Sequence, residues 1–341
     1  MKAALESLLA GESLSESRAA ELMTELASGR TAPALAGAWL AALRAKGESA
    51  AEVRGFSRAL RALARCPELS RGAGLVDVVG TGGDGSASFN LSTGTALLAA
   101  ACSLRVVKHG NRAVSSRSGS ADLLEALGLG LPLDAAAAGH CLEQVGFTFL
   151  FAPWYHPAMK AVAPIRRAMG VRTVFNLLGP LVNPAEPEFA LIGAWSPEAA
   201  ALMADSLAGE TRLRRAFVVH GEPGWDEATP CGEFLLFDVR PGSVRRRVCE
   251  PGQWGIARCR PADLVGGTAA TNAAALERVF EGEVGAHRDA LVLGTALVLE
   301  LTGEAPGGRP AAARAAAAID SGAARDLLAR LRDFDARRAG R

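Results

Sequence analysis

The 341-residue sequence contains few aromatic side chains and almost no net charge. Phe, Trp and Tyr together make up 5% of the residues, and the formal net charge at pH 7 is +1. Proteins that bind single-stranded nucleic acid stack bases on aromatic rings and attract the backbone with a basic surface. We therefore expect no nucleic-acid partner and no charge-driven attachment to an anionic membrane.

Long apolar runs are missing as well. No stretch reaches the length that spans a bilayer, and the N-terminal sequence MKAALESLLAGESLSES lacks the order of a signal peptide. We expect a cytoplasmic protein without a membrane partner. The length allows one or two domains with a substantial core.

The six cysteines form no Cys-x-x-Cys motif and have no histidine at zinc-binding spacing. We expect thiols rather than zinc ligands or a disulfide framework. Lysine is also rare, since only Lys2, Lys46, Lys108 and Lys160 occur and the other basic residues are arginine. Lysine is a compact point charge and arginine a planar fork. A lysine retained in a predicted loop of glycine and serine, Lys108, therefore indicates a specific role.

The chain is organised around residues 76–122, which hold three polar turns, each placed where a predicted strand gives way to a helix. A strand at 75–79 leads into the glycine turn at 80–85, and residues 90–93 offer capping side chains ahead of a helix at 96–102. A second strand at 104–107 leads into Lys108 and His109, and a helix at 121–127 follows a serine-rich loop. Helix N-termini attract anions, so these turns predict a phosphate or pyrophosphate site.

Gly80, Gly82 and Gly85 match the Gly-x-Gly-x-x-Gly fingerprint of dinucleotide-binding proteins. Those proteins place an acidic residue about twenty positions further on, at the end of the next strand, to bind the ribose hydroxyls. Lys108 and His109 occupy that region here. We therefore favour a phosphate-bearing ligand over a dinucleotide.

The first 70 residues predict four short helices, around 6–9, 15–27, 33–46 and 51–64, which form a small helical domain with an apolar face for a dimer contact. Residues 71–341 predict an α/β domain. Strands at 147–151, 189–195 and 216–220 alternate with helices, which is typical of a mostly parallel sheet, and 233–238 with 243–248 predict an antiparallel edge hairpin. We expect the irregular crossover around 160–184 to join the helical domain, 311–331 to be helical and 332–341 to be frayed.

Two acidic residues, Asp226 and Glu227, follow the predicted strand at 216–220. An isolated pair of acids is usually part of a surface loop. Opposite a pyrophosphate site, however, the pair suits Mg²⁺, which takes one or two carboxylates together with substrate oxygens. In the predicted helix at 156–169 we expect Arg167 to face solvent and Arg166 to bind a planar carboxylate.

These blocks resemble the bacterial anthranilate phosphoribosyltransferase family over essentially the whole chain. The shared motifs are GTGGDG at 80–85, NLST at 90–93, KHGNRAVSS at 108–116, SGSADLLEALG at 118–128, FLFAPWYHPAMK at 149–160 and TVFNLLGPLVNP at 173–184, with the acid pair. The resemblance implies transfer of the phosphoribosyl group of phosphoribosyl pyrophosphate to the amine of anthranilate, in tryptophan biosynthesis. It further implies a homodimer formed through the small domain, two Mg²⁺ ions per active site with bound donor, and an association with anthranilate synthase.

The resemblance also assigns site residues, among which Asn111 and Arg166 match anthranilate-binding positions. Ser88 stands where the family often has threonine, so the hydroxyl is kept. No residue stands out as a general base, and Lys108 and His109 are the catalytic candidates. The implied metal ligands are Ser92, Asp226 and Glu227, and the implied substrate-binding residues are Gly80, Gly83, Asp84, Ser88, Asn90, Leu91, Ser92, Thr93, Lys108, His109, Gly110, Asn111, Arg112, Ala113, Val114, Ser115, Ser116, Ser120 and Arg166.

Three alternatives belong to other functional classes. A pyrimidine nucleoside phosphorylase would use the same loops for phosphate but does not need the acid pair. An inactive relative that binds nucleic acid would need a basic surface, which a net charge of +1 does not indicate. A dinucleotide oxidoreductase is disfavoured by Lys108.

Overall fold

The computed structural model describes residues 1–70, 74–113 and 117–340. Its N-terminal helical domain is built as the sequence predicts. Ser15 caps one helix by accepting a hydrogen bond from the N–H of Arg18 at 3.2 Å, and Trp39 packs edge to face on Phe56 with ring centroids 5.6 Å apart. The four predicted helices are confirmed as α1 (Lys2–Leu9), α2 (Glu16–Ala27), α3 (Pro33–Lys46) and α4 (Ala50–Ala62).

Within the described residues, the larger domain contains one sheet of seven strands in the order β3-β2-β1-β4-β5-β6-β7. The first five strands pair in parallel, and β6 and β7 form an antiparallel hairpin at one edge. Both the mostly parallel sheet and the edge hairpin were predicted. The strands are β1 (Leu75–Gly80), β2 (Arg105–Gly110), β3 (Phe147–Phe151), β4 (Phe189–Gly193), β5 (Arg215–Gly221), β6 (Phe234–Arg240) and β7 (Ser243–Cys249).

Helices connect these strands, and short 3-10 turns lie at Gly179–Leu181, Pro251–Trp254 and Pro261–Leu264. In the described part of the chain, no helix combines the length and apolarity needed to cross a bilayer. The remaining helices are α5 (Leu91–Ala101), α6 (Ser120–Ala126), α7 (Ala135–Val145), α8 (Ala152–Tyr155), α9 (Met159–Met169), α10 (Phe175–Leu178), α11 (Pro197–Ala208), α12 (Ala269–Phe280), α13 (Ala286–Thr302), α14 (Arg309–Asp320) and α15 (Ala323–Ala339).

The C-terminal predictions were wrong in two respects. Residues 311–331 are not one helix, because Gly322 adopts a left-handed conformation with φ of +82° and separates α14 from α15. The predicted frayed tail is helical as far as Ala339. Arg332 donates to the carbonyl of Leu127 at 3.0 Å and Arg338 donates to the carbonyl of Gly130 at 2.5 Å, so hydrogen bonds to the segment after α6 hold this helix.

Helices cover both faces of the sheet. On one face Val76, Leu97 of α5 and Leu297 of α13 belong to one buried cluster, and all three are fully buried. On the other face Ile192 and Met203 of α11 belong to a buried cluster that continues into the helical domain. Because both faces are covered, the strand ends are where a ligand reaches the sheet.

The crossover around 160–184 packs against the N-terminal helices. Helix α9 contacts α2 and α3, and α10 contacts α4. Arg61 of α4 also donates to the carbonyl of Leu181 at 2.8 Å. The assignment of this crossover to the helical domain, and the domain boundary near residue 70, stay predictions.

Candidate active site

The candidate site lies at the carboxyl ends of the parallel strands, where the connections change direction across the sheet. Strands β2 and β3 extend the sheet to one side of β1, and β4 and β5 extend it to the other. The ends of β1 and β4 pair in register at Gly80 and Gly193. Open α/β sheets bind ligands in the crevice at such a switch point.

The turn after β1 exposes its backbone. Gly82, Gly83 and Gly85 have φ of +66°, +73° and +75°, and no heavy atom lies within 4 Å of where a Cβ would be on any of them. Glycine adopts this left-handed backbone without strain, and the exposed N–H groups of such a turn are donors for an anion. Asp84 stabilises the turn, since its Oδ1 accepts hydrogen bonds from the N–H and hydroxyl of Ser86 at 3.0 and 2.9 Å.

Asp226 lies directly against the ends of β1 and β4. Its Oδ2 accepts a hydrogen bond from the N–H of Gly82 at 2.6 Å. A Cβ on Gly80 would lie 2.5 Å from that oxygen, and a Cβ on Gly193 would lie 1.5 Å from the Asp226 carbonyl oxygen. Two glycines at adjacent strand ends therefore make the space for Asp226. Burial, together with the negative charge of Asp84, raises the pKa of Asp226.

Glu227 faces the first turn of α5. Its Oε1 accepts a hydrogen bond from the N–H of Ser92 at 3.1 Å, at the positive end of the helix dipole. Burial and the charge of Asp226 raise the pKa of Glu227, and Lys108 opposes this rise. The structure thus brings together the three residues that the resemblance implied as metal ligands.

Lys108 is part of strand β2, so its predicted place in a loop was wrong. The strand continues to Gly110 because Lys108 and His109 pair in register with Phe149 and Leu150 of β3. The Lys108 side chain is 1% exposed. Its Nζ donates to the carbonyl of Val78 and, at 3.3 Å, to the hydroxyl of Ser92.

Buried charges surround the Lys108 ammonium group. Burial lowers the pKa of Lys108, while Asp77, Glu227 and Asp226 oppose that shift. The fixed ammonium group therefore lies between two sets of acids. One set is the predicted metal ligands Asp226 and Glu227, and the other is Asp77 on β1.

Asp77 and its hydrogen-bond partner Asn183 were not predicted from the sequence. Asp77 is 1% exposed and accepts hydrogen bonds from the N–H of His109 at 3.2 Å and from Nδ2 of Asn183 at 2.8 Å. Asn183 also donates to the carbonyl of Val107 at 2.8 Å. Burial raises the pKa of Asp77 to about 6, against the opposing effect of Lys108. An acidic residue inside an apolar strand was the signal that could have revealed it.

His109 is buried and neutral. Its Nδ1 lies 3.2 Å from the carbonyl oxygen of Gly179, which requires Nδ1 to carry the proton, and its ring centroid lies 5.1 Å from that of His156. Burial, with a contribution from His156, lowers the pKa of His109 to about 3. A nitrogen of such low basicity makes His109 a weak general base at neutral pH.

Asn90 plays a different part from the capping role predicted for the NLST motif. Helix α5 begins at Leu91 rather than near residue 96, and the Asn90 side chain makes no cap hydrogen bond. Its Nδ2 donates to the carbonyl of Ser118 at 3.0 Å, and its Oδ1 accepts from Nδ2 of Asn272 at 2.7 Å. Asn90 therefore ties the start of α5 to two other segments at the strand ends.

Three more predicted residues belong to this segment. Leu91 and Thr93 are 4% and 0% exposed, so a contact of Leu91 with substrate would involve its backbone. The Thr93 hydroxyl has no hydrogen-bond partner among the described residues. Ser88 pairs with Val265 in an isolated β-bridge.

The loop after β2 is closed by Asp122. Its Oδ2 accepts hydrogen bonds from the N–H groups of Ala113 and Gly119, each at 2.9 Å. Arg112 is paired with Asp122 and Glu125, so its guanidinium group has carboxylate partners in this structure. The other predicted residues are the strand-end Gly110, the exposed Asn111 and Ser120 at the start of α6, while Val114, Ser115 and Ser116 lie outside the described residues.

Arg166 lies on α9, within the crossover. It is half-buried, with its Cζ 5.2 Å from the ring centroid of Phe175, and burial lowers its pKa. No carboxylate in the described ranges lies within ion-pair distance of Arg166. Its neighbour Arg167 is exposed, as predicted. No hydrogen bond between described residues links Arg166 to the group formed by Asp226, Glu227 and Lys108.

The donor set at the strand ends fits a hard divalent cation. It consists of the carboxylates of Asp226 and Glu227 and the hydroxyl of Ser92, which are oxygen ligands of the kind that Mg²⁺ takes. Burying two neighbouring carboxylates is costly unless a cation balances them. No set of three His, Cys, Asp or Glu side chains within the described ranges could hold a metal alone, so remaining ligands would come from substrate or water.

Two family models match the chain. One is described as "Glycosyl transferase family, a/b domain" and matches residues 72–325, and the other as "Glycosyl transferase family, helical bundle domain" and matches residues 2–64. Anthranilate phosphoribosyltransferase from Desulforudis audaxviator is 44% identical over 99% of this chain and 97% of its own length. That from Anaeromyxobacter dehalogenans is 46% identical over 96% of each chain.

Solved structures agree with these sequence matches. The structure of anthranilate phosphoribosyltransferase from Thermus thermophilus superposes with a TM-score of 0.90 at 43% identity, covering 97% of this chain and 98% of that one. The Saccharomyces cerevisiae enzyme in complex with PRPP and Mg superposes with a TM-score of 0.88 at 25% identity, covering 98% and 97%.

Proposed function

Because the chain belongs to the anthranilate phosphoribosyltransferase family, it transfers the phosphoribosyl group of phosphoribosyl pyrophosphate to the amine of anthranilate, and we propose that it does so at the carboxyl ends of β1, β2 and β5. The products are N-(5-phosphoribosyl)anthranilate and pyrophosphate, in tryptophan biosynthesis. One observation carries the location: the acid pair Asp226 and Glu227 lies against both the glycine turn and the first turn of α5.

The reaction breaks the bond between the anomeric carbon and pyrophosphate, so negative charge grows on the leaving group. Donors already fixed in place stabilise such charge most effectively. The N–H groups of Gly83, Asp84 and Gly85 are donors of this kind, since those of Thr81 and Gly82 already donate to Gly193 and Asp226, and the buried ammonium group of Lys108 adds a fixed positive charge. They bind the pyrophosphate, with Gly83, Asp84, Ser88, Asn90 and Thr93 around the donor and the loop from Gly110 to Ser120 beside its ribose and phosphates.

Mg²⁺ is the metal that this site uses, and a yeast relative has been solved with PRPP and Mg. The ion supplies charge neutralisation of the leaving pyrophosphate. Ser92 would hold one ion, and Asp226 with Glu227 would hold a second. This chain's contribution is to keep both carboxylates buried and fixed, so that they orient the donor once their charge is balanced.

We propose that Asn111 and Arg166 bind anthranilate. A guanidinium group matches the planar carboxylate of anthranilate, and Arg166 has no competing carboxylate among the described residues. Holding the weakly nucleophilic aryl amine in line with the anomeric carbon lowers the barrier by removing orientational freedom. His109 has too low a pKa for a strong base, so the amine loses its proton after the carbon–nitrogen bond has formed.

We also propose an oligomeric state, a cellular location and a protein partner. The enzyme works as a homodimer assembled through the helical domain, residues 1–70 with the crossover, while 71–341 carries the chemistry. We place the enzyme in the cytoplasm with its small anionic substrates, and we propose an association with anthranilate synthase.

The function is tested by following the fluorescence of anthranilate as it is consumed in the presence of phosphoribosyl pyrophosphate and Mg²⁺. Consumption should require all components and stop when a chelator removes the metal. Activity that is unaffected by the chelator would refute the metal site, and phosphorolysis of thymidine or uridine would favour a nucleoside phosphorylase instead.

A further inference from the structure

Arg172 contacts the glycine turn and is not among the substrate-binding or metal-binding residues named so far. It lies in the crossover just after α9, and its Nη2 donates to the carbonyl oxygen of Gly83 at 2.5 Å. Its Cζ also lies 5.1 Å from the ring centroid of Trp195, just beyond the end of β4. One guanidinium group thus joins the crossover, the β4 end and the glycine turn.

Among the described residues, Arg172 provides the hydrogen bond that holds the peptide between Gly83 and Asp84. Gly82, Gly83 and Gly85 all adopt left-handed backbone, and nothing lies within 4 Å of a Cβ position on any of them. Glycine reaches several backbone conformations at similar energy, so a peptide between such residues flips readily unless a hydrogen bond holds it. Asp226 holds the N–H of Gly82 and the side chain of Asp84, and Asp84 Oδ1 holds the N–H of Ser86. Arg172 holds the carbonyl of Gly83, which belongs to the peptide between these anchors.

The direction of that carbonyl matters for an anionic ligand. In a trans peptide the C=O and the following N–H point in opposite directions. When Arg172 draws the Gly83 carbonyl towards itself, the N–H of Asp84 points away from Arg172. A flipped peptide would exchange these two groups and present carbonyl oxygen where a donor N–H had been, which repels a phosphate.

We propose that Arg172 is a positioning residue that locks the Gly83–Asp84 peptide in the orientation that receives pyrophosphate, with Trp195 holding the guanidinium group in place. This inference rests on the proposed function, because it assumes that the turn binds the pyrophosphate of the donor. Arg172 acts through the backbone of the turn and not on the reacting atoms.

The first test compares Arg172→Ala with Arg167→Ala, an exposed arginine nearby that makes no contact with the turn. Arg172→Ala should raise the KM for phosphoribosyl pyrophosphate about tenfold, as expected for a lost charged hydrogen bond, and change the anthranilate KM by less than about twofold. Arg167→Ala should match the wild type. An unchanged donor KM in Arg172→Ala, or equal increases in both KM values, would overturn the proposal.

A second measurement separates positioning from direct contact with the donor. Hydrogen exchange at residues 82–86 should be faster in Arg172→Ala than in wild type before any donor is added, because the turn has lost its anchor. Exchange that differs only after donor is added would overturn the positioning role.

A third variant, Trp195→Leu, tests whether the tryptophan ring holds the Arg172 guanidinium group. Loss of the cation–π contact should raise the donor KM about threefold, and the double variant Arg172→Ala with Trp195→Leu should be no worse than Arg172→Ala alone. Additive effects would show that Trp195 does not act through Arg172 and would overturn that part of the proposal. If wild-type protein fails to bind the donor at all, the proposed function fails, and this outcome is distinct from equal binding by wild type and Arg172→Ala.

Discussion

The backbone N–H of Asp226 donates a hydrogen bond to Oδ2 of Asp84 at 3.2 Å. The glycine turn after β1 and the loop after β5 are therefore joined directly, because Asp84 belongs to the turn and Asp226 to the predicted metal site. The charge of Asp84 helps to raise the pKa of Asp226. This crowding of carboxylates is what a bound cation would relieve.

Removing the charge of the acid pair should impair catalysis. Asp226→Asn with Glu227→Gln keeps both side-chain shapes and leaves an oxygen to accept the Gly82 N–H, but weakens metal binding. We expect kcat to fall about 100-fold, in the range seen when a charge-stabilising group is removed, and the Mg²⁺ concentration for half-maximal rate to rise. Glu222→Gln, an exposed acid in the same loop, is the matched control. A metal dependence identical to that of wild type would rule out the ligand role.

Arg166 and Arg167 provide a matched pair on one helix. Arg166→Ala should raise the anthranilate KM about tenfold or more, because a paired guanidinium–carboxylate contact is lost, with little change in the donor KM. Arg167→Ala should leave both constants unchanged. Steady-state kinetics with each substrate varied in turn makes the comparison, and equal effects of Arg166→Ala on both substrates would contradict carboxylate recognition.

Lys108 should not tolerate arginine. The ammonium group is enclosed between the carbonyl of Val78 and the hydroxyl of Ser92, and the longer planar guanidinium group cannot occupy that space without moving them. We expect Lys108→Arg to lose about 100-fold in kcat/KM for the donor, measured by the fluorescence assay. Full activity in this variant would show that the position needs only a positive charge.

Gly193 should be intolerant of any side chain, because an added Cβ would meet the carbonyl oxygen of Asp226 at 1.5 Å. We expect Gly193→Ala to cost about 1–3 kcal/mol of stability through overpacking and to weaken metal-dependent activity. Gly37→Ala in α3 is the control. Its Cβ meets nothing within 4 Å, so it should be neutral or stabilise by up to about 1 kcal/mol. Thermal unfolding of both variants decides, and a fully active, stable Gly193→Ala protein would contradict the packing described.

Asp77 should give the protein a measurable pH dependence of stability. Its folded pKa of about 6 exceeds its ordinary value of 3.8, so the folded state binds more protons than the unfolded state between these values, and Asp77 lowers stability as pH rises from about 4 to about 6. Asp77→Asn disturbs the hydrogen bonds to His109 and Asn183 and should cost about 2 kcal/mol at low pH.

The substituted asparagine does not ionise, so the variant does not lose the stability that wild type loses when buried Asp77 ionises. The difference in unfolding free energy between Asp77→Asn and wild type should therefore become smaller between pH 4.5 and pH 7. Urea unfolding at both values measures the gap. A gap that widens with pH would mean that the folded state favours ionised Asp77, in conflict with its burial beside a single ammonium group.

The sequence predicted most of the fold because the local signals agreed with one another. Apolar runs marked the strands, and the helix predicted at 15–27 starts where Ser15 caps α2. The errors arose where tertiary contacts decided. Lys108 belongs to a strand because β3 pairs with it, and the last residues of α15 stay helical because Arg338 reaches Gly130.

Only those parts of the site that lie in local sequence motifs could be predicted. The acid pair and the glycine turn were visible in the sequence. Their contact, however, depends on Gly193 at the end of β4, whereas the turn follows β1 and the acid pair follows β5. Asp77 and Asn183 are 106 residues apart, and Arg172 reaches Gly83 across 89. No local pattern indicates such pairings, because they arise from the order of strands in the sheet.

The decisive experiment is a crystal structure with phosphoribosyl pyrophosphate and Mn²⁺ in place of Mg²⁺, because anomalous scattering locates the metal. We expect pyrophosphate between the glycine turn and the start of α5, with metal density beside Ser92 and beside Asp226 and Glu227. A donor bound away from these strand ends, or acidic side chains turned away from the metal, would contradict this expectation.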